Sequence, residues 1–94
     1  MKEFTYTVKD INGMHARPAG KLATYAKRFS SEIRVKNGAR EADGKRLLSL
    51  MALGAVHGTV LTFSFAGEDE EEACRALESF CVETWGDGVA VNEY

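Results

Sequence analysis

Apolar and polar positions alternate over residues 3–8, Glu-Phe-Thr-Tyr-Thr-Val, and this predicts a strand with one buried face. Asp10-Ile11-Asn12-Gly13 is turn chemistry, and after it the period changes. From Ala16 the apolar residues recur at Ala19, Leu22, Ala23, Ala26 and Phe29, the spacing of one helical stripe. Pro18 fits only in the first turn of that helix, where its missing N–H costs nothing. Alternation returns at Ile33 and Val35, and Asn37-Gly38 predicts a hairpin whose second strand runs from Ala39 to Asp43. A short helix over about 45–53 follows, ended by Gly54. Residues 59–65, TVLTFSF, read as a strand. Gly67 then turns the chain into a last helix over about 69–84, with Ala73, Leu77, Phe80 and Cys81 facing inward. The tail GDGVAVNEY has no strong period and receives no element.

The order is βαββαβα. Each helix has one apolar stripe and must bury it on the same side of the sheet, so the expected fold is α/β in the α+β sense. It is an open-faced sandwich, a four-stranded antiparallel sheet with three helices on one face. Ninety-four residues leave room for one core. The domain is expected over residues 1–84, with 85–94 an unassigned tail.

Composition adds little, with 45% hydrophobic and 28% charged residues placing the chain among ordinary globular domains. No run of about 18 apolar residues suits a membrane span, and the alternating N-terminus lacks the apolar core of a signal peptide. The expectation is a cytoplasmic protein with no membrane insertion. Cys74 and Cys81 are seven apart in a helical pattern, about 10 Å along the axis, too far to bridge each other. They read as reduced thiols, and no metal-ligand spacing accompanies them.

Charge changes the picture more. The net charge is −2, but residues 1–46 carry eleven Lys or Arg against five Asp or Glu, and residues 47–94 one Arg against nine acids. The acidic run Glu68 to Glu72 suits a helix start. The basic half suits an acidic protein surface or a phosphate. A nucleic-acid binder is disfavoured, because no aromatic residue interleaves with the Lys and Arg positions.

Of the two histidines, His57 follows the short helix in a turn and reads as a solvated loop residue. His15 lies immediately before a helix, where unpaired N–H groups and the positive end of the dipole favour an anion. It is a poor cap for stability alone. Proximity to a positive terminus favours the neutral ring, which can act as a nucleophile toward phosphorus. Arg17 adds a fork of donors suited to phosphate oxygens. Ala16 and Pro18 set the helix start that supplies backbone N–H groups. No phosphate-binding loop, nucleotide motif, cofactor site or metal set is present in the sequence, so phosphoryl donor and acceptor must come from other molecules.

GMHARPAG, residues 13–20, resembles the active-site signature of HPr, the histidine-containing phosphocarrier family of the bacterial sugar phosphotransferase system. The resemblance spans roughly residues 2–84 and includes KRLLSLMALG (45–54) and GEDEEEA (67–73). It implies the same βαββαβα fold and a carrier rather than a free-standing enzyme, monomeric and without cofactor. It further implies that His15 is phosphorylated on Nδ1 by enzyme I, using phosphoenolpyruvate, and passes the phosphoryl group to enzyme IIA domains. Arg17 then contacts the phosphoryl group, and Pro18 fixes the helix start. A regulatory binding module on the same fold, with His15 signalling phosphorylation state, is the alternative.

The expected partner surface includes Leu47, Leu48 and Met51, since Leu50 and Leu53 face the core together and leave the others exposed. Gly20, costly inside a helix, reads either as a place for close partner approach or as packing on a neighbouring helix. Lys21, Lys27 and Arg28 lie on a solvated face, and the resemblance implies that basic residues near here meet acidic partners. Arg46 stands where many Gram-positive members carry a kinase-modified serine. Arginine cannot form that ester, so that regulatory branch is expected to be absent or altered, with Arg46 a cation beside the docking patch.

Overall fold

The computed structural model describes residues 1–86 and 88–91. Its elements are β1 (Lys2–Thr7), α1 (Ala16–Ala26), β2 (Glu32–Asn37), β3 (Arg40–Asp43), α2 (Leu47–Met51), β4 (Val60–Ala66), α3 (Glu70–Trp85) and β5 (Val89–Val91). The strands form one antiparallel sheet in the order β3-β2-β4-β1-β5. The open-faced sandwich with three helices is as expected, but the sheet has five strands rather than four. The additional strand is β5, in the tail that carried no period; Asp87 and residues 92–94 of that tail lie outside the described residues.

Alternation decides the buried face. Phe4, Tyr6, Ile33, Val35, Leu61, Phe63 and Phe65 are all within 1% of full burial. Register brings Phe4 opposite Phe63, and the two rings stack at 4.7 Å, with Phe65 5.8 Å from Phe4. Such pairs contribute beyond their buried area, about 0.5–1.5 kcal/mol each. The helices cover this layer with Leu22, Ala23 and Ala26 from α1, Leu50 from α2, and Ala73, Leu77 and Cys81 from α3. Phe80 is only partly buried and stacks on Tyr25 at 5.6 Å, while Cys74 and Trp85 complete the inner stripe of α3. Cys74 and Cys81 are free thiols. Burial pushes Cys74 up to about 12 and Cys81 higher still, so neither is a reactive thiolate.

The hairpin differs from its expected register. Asn37 pairs with Arg40, so Gly38 and Ala39 are the two loop residues. Gly38 has φ +61 and Ala39 has negative φ, the requirement of a type II′ turn rather than the type I′ turn that Asn-Gly favours. Asn37 is instead the last residue of β2, and its amide donates to the Leu53 carbonyl at 2.8 Å. That bond ties the hairpin to the end of α2, where Gly54 at φ +66 stops the helix. α2 is about one turn shorter than the sequence pattern predicts: Arg46 is extended, with φ −125 and ψ 116, so the helix begins only at Leu47, and past Met51 the N–H groups of Leu53 and Gly54 donate to carbonyls three residues back.

Candidate functional site

His15 is the N-cap of α1, with φ −88 and ψ 178, and its ring makes no capping bond. The helix begins with four N–H groups lacking helical acceptors. Here the N–H of His15 donates to the Gly13 carbonyl at 3.0 Å, and Pro18 has none. That leaves the N–H groups of Ala16 and Arg17, in the first turn after His15, without an acceptor among the described residues. Pro18 is buried, whereas Ala16 and Arg17 are exposed.

The approach to the helix is fixed by Gly13. At φ +66 it occupies a left-handed conformation, and a Cβ there would lie 2.4 Å from the Ala55 carbonyl oxygen. The Met14 N–H donates to that same carbonyl at 3.0 Å, locking the loop against the segment after α2. Only a residue without a side chain permits this backbone contact, so the glycine before the histidine sets where the ring emerges.

Asp10 is the member of the site that the sequence pattern concealed. Its Oδ1 accepts from the Asn12 N–H at 2.8 Å, closing the turn, and its Oδ2 lies 3.3 Å from His15 Nε2. The Asn12 N–H foremost, together with the His15 ring, holds the Asp10 carboxyl below the ordinary carboxylate range. The other ring nitrogen, Nδ1, has no hydrogen-bond partner among the described residues. The His15 side chain is 41% exposed.

An open cavity of about 260 Å³ is lined by Asp10, His15, Arg17, Pro18, Lys21 and Thr84. The expected pair His15 and Arg17 therefore shares one concavity. Lys21, one helical turn after Arg17, lines it as well while remaining exposed on the solvated face, because i and i+4 lie on one side of a helix. Thr84 arrives from the far end of α3. Asp10 carried only a turn signal and Thr84 none, since both depend on how distant segments fold together.

Of the expected partner-surface residues, Lys27, Arg46, Leu47 and Leu48 line, with Lys45, a second concavity of about 440 Å³, whereas Gly20 and Met51 line neither and Lys21 lies in the cavity of His15. Leu48 is 79% exposed, Met51 41% and Leu47 37%, while Leu50 and Leu53 are buried as their spacing predicts. Arg46 caps α2 with its backbone, and its side chain makes no capping bond. Arg28 stacks over Tyr25 at 5.1 Å. Of the two readings of Gly20, packing against a neighbouring helix does not hold: an added Cβ would meet nothing within 4 Å. His57 is exposed on its turn.

Fold and site together define a class: a small open-faced sandwich that presents one histidine ring at a helix mouth, inside a cation-lined concavity. The chain belongs to the HPr family of phosphocarriers of the phosphotransferase system, for the family model described as "PTS HPr component phosphorylation site" matches residues 2–83. It is 47% identical over 66 residues to the phosphocarrier protein HPr of Haemophilus influenzae, covering 70% of this chain and 78% of that one. The HPr of Mycoplasma genitalium is 42% identical over 84 residues, 88% of this chain and 94% of that one. The crystal structure of HPr-C-His from Thermoanaerobacter tengcongensis superposes with a TM-score of 0.85 at 38% identity, covering 93% of this chain and 98% of that one. Among the described residues, no helix is long and apolar enough to cross a membrane.

Proposed function

We propose that this chain carries a phosphoryl group on Nδ1 of His15, taking it from phosphorylated enzyme I and passing it to enzyme IIA domains of sugar permeases. The observation that carries this reading is the state of the His15 ring. It sits at a helix N-cap without capping, its Nε2 is engaged by Asp10, its Nδ1 has no hydrogen-bond partner among the described residues, and the ring shares a cavity with Arg17. An incoming phosphoryl group there meets the N–H groups of Ala16 and Arg17 and the Arg17 guanidinium, which compensate charge on its equatorial oxygens. The protein acts as a monomeric carrier and depends on its partners for turnover. Leu47, Leu48 and Met51, with Lys27 and Arg46 beside them, supply the apolar and cationic surface on which acidic partners dock, and Gly20 leaves room on α1 for their approach.

The test is intact mass after incubation with enzyme I and phosphoenolpyruvate, at neutral pH and again after brief acid treatment. The expected result is a gain of one phosphoryl group that acid removes and that His15→Ala abolishes. A stable modification, or an equal gain in His15→Ala, contradicts it; no gain with a competent enzyme I points instead to a regulatory binding module.

A further inference from the structure

We infer that Asp10 is a positioning residue for phosphoryl transfer, fixing the His15 ring in the tautomer whose Nδ1 carries the free electron pair. The inference rests on the carrier reading for its chemistry, but its first observable belongs to the resting protein.

A neutral imidazole has one N–H and one lone pair, and the hydrogen bond made by one nitrogen decides the role of the other. Asp10 is held below the ordinary carboxylate range, so at neutral pH it offers only acceptors. Its Oδ2, 3.3 Å from Nε2, therefore places the ring proton on Nε2 and leaves Nδ1 bare. The distance is at the long end for such a bond, as is usual before a reacting group arrives. The carboxylate serves two donors at once, the Asn12 N–H at Oδ1 and the ring at Oδ2. An amide, with a single acceptor oxygen, cannot.

The same contact acts during transfer. The Nδ1 electron pair forms the new P–N bond while the bond from phosphorus to the donor's leaving atom breaks. Nε2 keeps its proton throughout, so the ring becomes a cationic imidazolium bearing a phosphoryl dianion. The Asp10 carboxylate faces that new positive charge from the loop side. Arg17 and Lys21, from α1, line the same cavity and supply positive charge for the phosphoryl dianion, and α3 adds only the uncharged Thr84. The new cation and the new dianion thus each have a countercharge within one concavity. When the group moves on, the Nδ1–P bond breaks and the neutral Nε2–H ring returns.

Two variants make the inference decisive. In Asp10→Asn the side-chain oxygen stays on the Asn12 N–H, so the turn survives and the amide NH₂ is turned toward Nε2. That donor favours the wrong tautomer, with the proton on Nδ1. In Asp10→Ala the turn loses its acceptor but nothing opposes the ring. Ring ¹⁵N shifts, recorded where His15 is neutral, are expected to show the Nε2–H form in the native protein, a rise of the Nδ1–H form in Asp10→Asn, and an intermediate position in Asp10→Ala. Rates of phosphoryl uptake should follow the same order, with Asp10→Asn slowest by roughly tenfold to a hundredfold. A purely structural role gives the reverse order, Asp10→Asn nearer the native protein than Asp10→Ala. Unchanged ring shifts, or changed shifts with unchanged uptake, overturn the inference. Absence of uptake in the native protein overturns the carrier reading instead, and the tautomer assignment is then judged by the ring shifts alone.

Discussion

Arg17 forms no ion pair or side-chain hydrogen bond among the described residues and is exposed, so its guanidinium stands uncommitted in the cavity that holds His15. A side chain with no structural duty can be removed without unfolding the protein, which makes it a clean probe of charge compensation. Arg17→Ala is expected to keep the native melting temperature while slowing phosphoryl transfer by about 10²–10³-fold, the usual cost of losing one preorganised donor. Arg17→Lys should recover only part of the rate, since a point charge replaces a planar fork. Rapid-quench measurement of transfer rates decides this, and an Arg17→Ala protein with native rates would rule out the role. His15 and Arg17 were both legible in the sequence because their signal is local, a histidine at a cap position followed by an arginine and a proline. Asp10 was visible only as a turn residue. Its second bond, to the ring, exists because Gly13 at φ +66 folds the loop back on itself.

At the scale of the element, α1 contains its own anomaly. Gly20 lies in the middle of an 11-residue helix, in helical conformation, with open space where a methyl group would go. Nothing inside the molecule requires a glycine there. Gly20→Ala should therefore raise stability by about 1 kcal/mol, because alanine loses less backbone freedom on forming the helix. Thermal or urea unfolding measures the gain. The same variant should bind enzyme I or enzyme IIA more weakly, since a partner that approaches α1 closely is what remains to explain the residue. A destabilised variant would mean that the helix is packed more tightly than this geometry allows. The hairpin shows the converse. Asn37-Gly38 gave the right element with the wrong register, since Asn37 is held in β2 by its bond to Leu53, sixteen residues away.

Over the whole molecule, one carboxylate fastens two halves of the helical layer. Asp69 precedes α3, but its side chain does not cap that helix. It accepts from the N–H groups of Ser30 and Ser31, each at 2.9 Å, and from the Ser31 hydroxyl, in the loop that joins α1 to β2. These bonds, the Ser31 hydroxyl first, hold Asp69 below its ordinary value of 3.8. Glu70 is lowered too, chiefly by the N-terminal ammonium at 2.9 Å and then by the Gly67 N–H. A carboxyl whose folded-state pKa is depressed contributes stability that is fully present above its unfolded value. That contribution is lost as pH falls through the folded value, so the fold should weaken below about pH 4. Melting temperatures recorded from pH 7 to pH 3 should fall, and Asp69→Ala should lower the neutral-pH value and flatten the decline. An Asp69→Ala protein with the native pH profile would show that the clip is not what acid releases.

The division between sequence and tertiary structure follows the range of the forces. Period-2 and helical patterns act between near neighbours, so the sequence alone determined four strands, three helices, the buried faces of β1, β2 and the helices apart from Phe80, and the cap histidine with its arginine. The inward stripe at Leu50 and Leu53, which leaves Leu47, Leu48 and Met51 outside, is local in the same sense. β5 is not. Val89–Val91 is too short to carry a period, and it is a strand because β1 offers an unpaired edge of N–H and C=O groups. The Thr7 N–H donates to the Gly88 carbonyl at 3.0 Å and the Tyr6 hydroxyl to the Gly86 carbonyl at 2.6 Å, which guide the chain into that edge. The site divides the same way. Residues 15–18 carry their own placement, whereas Asp10 on the ring and Thr84 in its cavity meet His15 only after backbone reversal and helix packing, which no spacing along the chain records.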